Sequence, residues 1–255
     1  MKANLKEALA HKLLAMADDE LVVGHRNSEW TGHAPILEED IAFANIALDE
    51  IGHAKIWYQL LADLVGENPE TYPDRLVFHR EAAEYRNIQM VELPIGNWAF
   101  TIVRQYLLDT AELVRLGELV QSQYQPMAEA SAKIRKEEIY HYRHTHAWLQ
   151  RLGLGTDESH RRMQNALNQL WPYTTQLFEP LPDEALLVEA GFVPDPHQLR
   201  LAWEKLVLSN LKEANLATPE DTTPIKVQRD QHTPHLESLL AKMQEVARLD
   251  SQATW

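Results

Sequence analysis

The chain has 255 residues, 45% of them hydrophobic, with 24 Lys+Arg against 38 Asp+Glu and a formal net charge of -14. That balance argues against nucleic acid or an anionic membrane surface as the main partner. It has no cysteine, which excludes disulfides, thiolate zinc sites, iron–sulfur clusters and cysteine nucleophiles, so any metal must be held by Asp, Glu and His.

Residues 1–10 mix acid and base without an apolar signal core. No apolar run approaches the roughly 20 residues that a membrane span needs. A cytoplasmic protein is expected. Nine glycines and few β-branched runs point to an all-α chain, read as a single domain over 1–255 with a core bundle at about 3–153 and a helical extension at about 157–250.

The first helix is expected from Ala3 to about Trp30. Leu13, Met16, Ala17 and Val23 recur on it at helical spacing, and Glu20 lies on that stripe. Thr31-Gly32-His33-Ala34-Pro35 breaks it. The second helix runs from near Ile36 to just before Gly66, with a stripe of Phe43, Ile46, Ala47, Ala54, Trp57 and Leu61 around Glu50 and His53. Residues 67–73 read as a loop and 80–91 as a shorter helix. After the turn at 93–97, Asn97 is placed to cap a third helix from Trp98 to about Gln123. Its stripe is Ile102, Tyr106, Leu113 and Leu116, with Asp109 among them. The fourth helix follows Pro126 and ends near Gly153, with Ile134, His141, Thr145 and Trp148 on the face that carries Glu138.

A fifth helix, capped by Thr156 or Asp157, is expected over about 157–177. A proline-rich passage, 180–196, has room for one short helix. Another helix runs from about His197 to Leu216. The polar stretch 217–232, with Pro219 and Pro224, reads as a mobile loop, and a terminal helix over 234–249 closes the chain.

Two phrases in these helices match closely: Asp49-Glu50-Ile51-Gly52-His53 and Glu137-Glu138-Ile139-Tyr140-His141. They contain the only two Glu-x-x-His matches in the chain, 88 residues apart, and Glu20 and Asp109 precede them at an offset of 89. Near-equal offsets suggest two copies of one αα-hairpin. Residues three apart share a helix face, so Glu and His at that spacing can ligate one ion. Two such pairs, plus one carboxylate from each of two further helices, make up the ligand set of a dinuclear metal site in a ferritin-like four-helix bundle. The expected metal ligands are Glu20, Glu50, His53, Asp109, Glu138 and His141. At the third-helix position Glu is the more usual residue, and Glu112 lies one turn beyond Asp109. Four buried carboxylates without counter-charge are costly or protonated. Two divalent ions, iron or manganese, would balance them.

A ligating imidazole usually gives its other N–H to a carboxylate. Asp49 is therefore expected near His141, and Glu137 near His53. Other candidates read more plainly. His144 and His146 fall on other faces than His141 and suit solvent or a partner. His232 and His235 flank a helix start, where a cap or contact is expected. His25 and Arg26 suit contacts with a neighbouring element, and most tryptophans suit core or interface positions. There is no glycine-rich phosphate loop and no Ser–His–Asp pattern.

Longer phrases carry a family resemblance. They are Glu29-Trp30-Thr31-Gly32-His33-Ala34-Pro35, Ala44-Asn45-Ile46-Ala47-Leu48-Asp49, and Gly96-Asn97-Trp98-Ala99 with Arg104-Gln105-Tyr106. They continue with Trp148-Leu149-Gln150-Arg151-Leu152-Gly153, Gly155-Thr156-Asp157-Glu158 and His232-Thr233-Pro234-His235-Leu236. Over nearly its whole length the chain resembles the C subunits of bacterial phenylacetyl-CoA epoxidases. The resemblance implies a multicomponent monooxygenase of aerobic phenylacetate breakdown, which forms a ring 1,2-epoxide on phenylacetyl-CoA with O2. In such complexes a flavin and iron–sulfur reductase passes on electrons from NADPH. The A subunit holds the catalytic di-iron centre and binds the CoA ester, and the C subunit is its structural, ferritin-like partner with degraded metal ligands. This chain departs from that pattern, because all six ligand positions are filled.

Three functions follow as expectations. The first is an interaction subunit of the epoxidase, in a homo- or hetero-oligomer, with metal present but secondary. The second is a self-contained di-iron or dimanganese oxidase or oxygenase. The third is a ferroxidase or iron store, which the whole-chain resemblance disfavours. The residues alone assign no catalytic side chain.

Overall fold

The computed structural model describes residues 1–220 and 222–250. Among the described residues there is no strand. The helices are α1 (Ala3–Ser28), α2 (Leu37–Val65), α3 (Tyr72–Phe78), α4 (Gln89–Glu92), α5 (Trp98–Leu119), α6 (Gln125–Gly153), α7 (Asp157–Leu170), α8 (Glu184–Glu189), α9 (Pro196–Glu213) and α10 (Pro234–Leu249).

The four long helices α1, α2, α5 and α6 form a ferritin-like bundle. Contacting pairs fix their directions. Gly24 meets Ala47 and Glu50, Asn27 meets Gln105, Trp30 meets Thr101, Asp109 meets Thr145, and Asp49 meets His141. Each long helix is therefore antiparallel to both of its neighbours, in the order α1, α2, α6, α5 around the bundle. The end of α2 lies opposite the start of α5, so residues 66–97 must run back along the bundle. Gly66 starts that return with φ 88°, a left-handed cap that a side chain would strain.

The expected stripes of α1 and α2 are buried throughout. On α5, Ile102, Tyr106 and Leu116 are buried, whereas Leu113 is only half-buried. On α6, Leu149 takes the core position expected of Trp148, which is half-buried and stacks edge-on against Trp98. Gly24 lets α1 approach α2 beside the candidate site. A Cβ there would lie 3.0 Å from Glu50 Cβ and 3.1 Å from the Ala47 carbonyl. The side chain of Asn97 accepts from Phe100 N–H to start α5, and Thr156 accepts from Ser159 N–H to start α7.

The expected helix over 80–91 does not form. Instead the chain makes a 3-10 turn at Ala82–Glu84 and the short α4. The reason lies on α1. Asp18 accepts from Arg86 N–H at 2.7 Å, and Asp19 from Ile88 N–H at 2.7 Å. Those donors are thereby taken from any i→i−4 ladder. Helix α3 also begins inside the expected 67–73 loop. Helix α5 stops at Leu119, short of Gln123, and α9 stops at Glu213. Helix α7 stops at Leu170, because Pro172 lacks an N–H, and a 3-10 stretch over Trp171–Phe178 follows.

The C-terminal elements are tied to the bundle by polar contacts. Trp203 Nε1 donates to Thr110 Oγ1 at 2.9 Å. Lys12 forms an ion pair with the buried Glu184 at 2.5 Å. Residues 217–220 and 222–229 have no regular secondary structure, while Asp221 lies outside the described residues. This stretch is nonetheless anchored, since Arg229 bonds both oxygens of Asp19. His232 bonds the fully buried Glu92 at 2.6 Å. No described helix is long and apolar enough to cross a membrane.

Candidate metal centre

Midway along the bundle, each long helix presents acid or imidazole toward the axis. Helix α1 supplies Glu20, α2 supplies Glu50 and His53, α5 supplies Asp109, and α6 supplies Glu138 and His141. All six are buried, none more than 5% exposed. Their ligand atoms fall into two groups that share Glu50. Glu20, Glu50, His53 and Glu138 lie within 4.8 Å of one another, and so do Glu50, Asp109 and His141.

Both imidazoles turn Nδ1 inward. His53 Nδ1 lies 3.4 Å from Glu138, 3.6 Å from Glu50 and 3.9 Å from Glu20. His141 Nδ1 lies 3.1 Å from Glu138 and 3.7 Å from Glu50. The two glutamates of the twin phrases thus sit between the two rings, whose centroids are 6.0 Å apart. The outward nitrogens cross between hairpins as expected. His53 Nε2 bonds Glu137 at 2.7 Å, and His141 Nε2 bonds Asp49 at 3.2 Å.

The electrostatics are those of a crowded acid cluster. Burial, then the charge of Glu50, holds the Glu20 carboxyl well above its ordinary range. Burial, then the charge of Glu138, does the same to Asp109. Burial pushes Glu50 up as well, but hydrogen bonds from His53 and Glu20 and the charge of His141 outweigh it, to about 2. Burial lowers both imidazoles, but their acid neighbours outweigh it, raising His53 to about 10 and His141 to about 12. The metal-free centre therefore balances its acids by holding protons.

Two atoms test whether a cation fits. His53 Nδ1 and Glu138 Oε2 are buried and lack a hydrogen-bond partner among the described residues. Native interiors rarely leave such atoms unmet. A ring nitrogen and a carboxylate oxygen, orphaned inside one group of ligand atoms, are the atom types that a divalent ion takes as ligands.

Glu112, the alternative to Asp109, is in neither group. It is half-buried, bonds Arg115, and has a carboxyl pushed up to about 6 by burial against the opposing Arg115 charge. His144 is also outside, since it bonds Glu39 at 2.8 Å, and His146 stacks on Tyr142. The sequence reading missed the role of Gln105. Its Nε2 lies 2.7 Å from both Glu50 and Asp109, and its Oε1 accepts from Asn27 at 2.8 Å. The available signal was an amide one turn before Asp109 on a buried stripe. Thr145, expected on the α6 stripe, donates to Asp109 Oδ2 at 2.5 Å.

The family model for phenylacetic acid catabolic proteins matches residues 1–255. The chain is 40% identical over 243 residues to the C subunit of the 1,2-phenylacetyl-CoA epoxidase of Escherichia coli (strain K12), covering 95% of this chain and 97% of that protein. It is 26% identical over 180 residues to the A subunit of the same enzyme, covering 71% of this chain and 57% of that protein. Among solved structures, a protein with aldehyde deformylating oxidase activity from Synechococcus superposes with a TM-score of 0.63. It is 16% identical, over 85% of this chain and 93% of that one, a likeness of fold.

Proposed function

The chain belongs to the phenylacetic acid catabolic protein family, and on that footing we propose that it is the C-type subunit of a phenylacetyl-CoA 1,2-epoxidase. In this reading it works in the cytoplasm as structural partner of the catalytic A subunit, which receives electrons from a reductase and binds phenylacetyl-CoA. The observation that carries the proposal is the 40% identity to a C subunit, nearly end to end in both chains.

The same proposal gives this member a dinuclear metal site formed by Glu20, Glu50, His53, Asp109, Glu138 and His141, with iron the first candidate and manganese the second. Supporting it are the two ligand groups and the two orphaned buried atoms within the first of them. A bound metal pair supplies Lewis acidity and, if redox-active, electrons for chemistry with O2. The chain's own residues do the rest. Glu50 and Glu138 hold the two halves together, and Asp49 and Glu137 orient the imidazoles.

The test is co-expression with an A subunit, followed by metal analysis and turnover of the purified complex. The expected result is a stable complex whose phenylacetyl-CoA epoxidation survives Glu50→Gln with Glu138→Gln in this chain but requires the A subunit. Failure to associate with any A subunit would overturn the partner assignment. If wild type binds no more metal than the double variant, the metal site is wrong. The complete ligand set favours one second reading, a self-contained oxidase. That reading requires the isolated, metal-loaded chain to consume O2 with a reductase and no A subunit.

A further inference from the structure

Helix α2 is apolar on two opposite faces. Phe43, Ile46, Ala54 and Trp57 point into the bundle beside Glu50 and His53, and all are buried. On the far side Leu37 is 70% exposed, Ile41 57%, Leu48 67% and Ile51 38%, with the half-buried Ala44 among them. A helix that is apolar all round is normally covered all round. Single apolar side chains on a surface mean little, whereas a contiguous row marks an interaction site.

The row has a definite period. Residues 37, 41, 44, 48 and 51 are four, three, four and three apart, the repeat that seats one helix lengthwise on another. The next seam position is the exposed Lys55, and the exposed Glu38 flanks the row at its start. The covering element is therefore a helix, and the row itself says which one.

Laid against a copy of itself running the opposite way, the row matches in size and in charge. Ile41 of one copy meets Ile51 of the other. The small Ala44 meets the large Leu48, and Lys55 comes level with Leu37 and Glu38. Each contact occurs twice, as a two-fold interface requires. A parallel, in-register alignment instead sets Lys55 against Lys55 and Ala44 against Ala44, a repulsion and a gap. We propose that this row is a homodimer seam, in which α2 of one copy packs antiparallel on α2 of a second. The seam does not depend on the metal centre or on the subunit reading above.

Sedimentation of the full chain over about 1–100 µM tests this. Wild type is expected to sediment as a dimer. Leu48→Glu, at an exposed position, should keep the helical content and weaken the dimer at least about tenfold, since it buries an unpaired charge in the seam. Lys55→Glu should weaken it too, and Glu38→Lys with Lys55→Glu should restore it. A wild type that stays monomeric, or a dimer indifferent to Leu48→Glu, would overturn the proposal. If wild type is monomeric alone and Leu48→Glu abolishes binding to a co-expressed A subunit, the face belongs to that subunit instead.

Cross-linking reads the direction of the seam. The chain has no cysteine, so Ile41→Cys with Ile51→Cys offers the only thiols. With oxidised glutathione, this variant should form disulfide-linked dimers. Within one copy the two positions are about 15 Å apart along the helix, too far for a disulfide. Ile41→Cys alone should not cross-link. If it does, the seam is parallel and the proposal fails.

Discussion

His53 on α2 and Glu137 on α6 meet across the bundle at 2.7 Å, joining the ring's outward nitrogen to an acid that is 42% exposed. The contact holds the ring with Nδ1 facing the acid cluster. Glu137→Ala should leave the fold intact, since half-exposed acids contribute little to stability. It should weaken Mn(II) binding about 10–100-fold, as loss of a partner behind a ligating imidazole does elsewhere. Dialysis and a thermal melt on the same sample check this. Unchanged affinity would remove Glu137 from the site.

Glu20 should show a reversal of sign. Without metal, burial and then the charge of Glu50 push its buried carboxyl well above the ordinary range. Replacing it by leucine removes a polar group from the interior, so the metal-free melting temperature of Glu20→Leu should equal or exceed that of wild type. With saturating Mn(II) the order should invert, because ligand binding stabilises the wild type more. A Glu20→Leu protein that is less stable without metal, and equally stabilised by Mn(II), would contradict this role.

The imidazole shifts set a pH dependence. Both folded-state values, about 10 for His53 and about 12 for His141, are raised above the ordinary imidazole value of 6.5. Their contribution to metal-free stability is therefore complete below pH ~6.5 and lost as pH rises through those values. At neutral pH both rings carry an extra proton, which a metal must displace. Mn(II) affinity should rise with pH between ~6 and ~8. Titration calorimetry in buffers of different ionisation enthalpy should show net proton release on loading. A pH-independent affinity would contradict this protonation state.

Asp18 offers a stability test that leaves the metal ligands untouched. It is fully buried and bonds Arg80 at 2.5 Å, Tyr58 at 2.5 Å and the Arg86 N–H at 2.7 Å. Asp18→Ala would strand the buried guanidinium of Arg80 and free the 80–88 segment. The expected loss is about 3–5 kcal/mol, the usual cost of breaking one partner from a buried pair. Denaturant unfolding measures it, and a loss below about 1 kcal/mol would show the network to be dispensable.

Much of the site was legible in the order of residues because helices convert spacing into faces. Glu50 and His53, or Glu138 and His141, need only an α-helix to point together, and apolar neighbours at the same period say which way they point. Asn97 and Thr156 announce their helices by the same local logic. Where local rules failed, the competitor was distant in sequence. The 80–91 segment has the composition of a helix, but two aspartates of α1 capture its N–H groups. Asp109 and Glu112 are one turn apart on α5 and equally suitable as ligands in one dimension. Thr145 of α6 bonds Asp109, which lies with Glu50 and His141 of other helices, and Glu112 is in neither ligand group.

By itself, the sequence determined the helical class, the twin acid-Glu-Ile-x-His phrases and the family resemblance, because each depends on residues close together or on direct likeness. Only the tertiary structure decided which side chains of other helices hold the ligands in place. Thr145 on α6 meets Asp109 on α5, and Asn27 on α1 meets Gln105 on α5. Their meeting is set by how those helices pack, which no local period records.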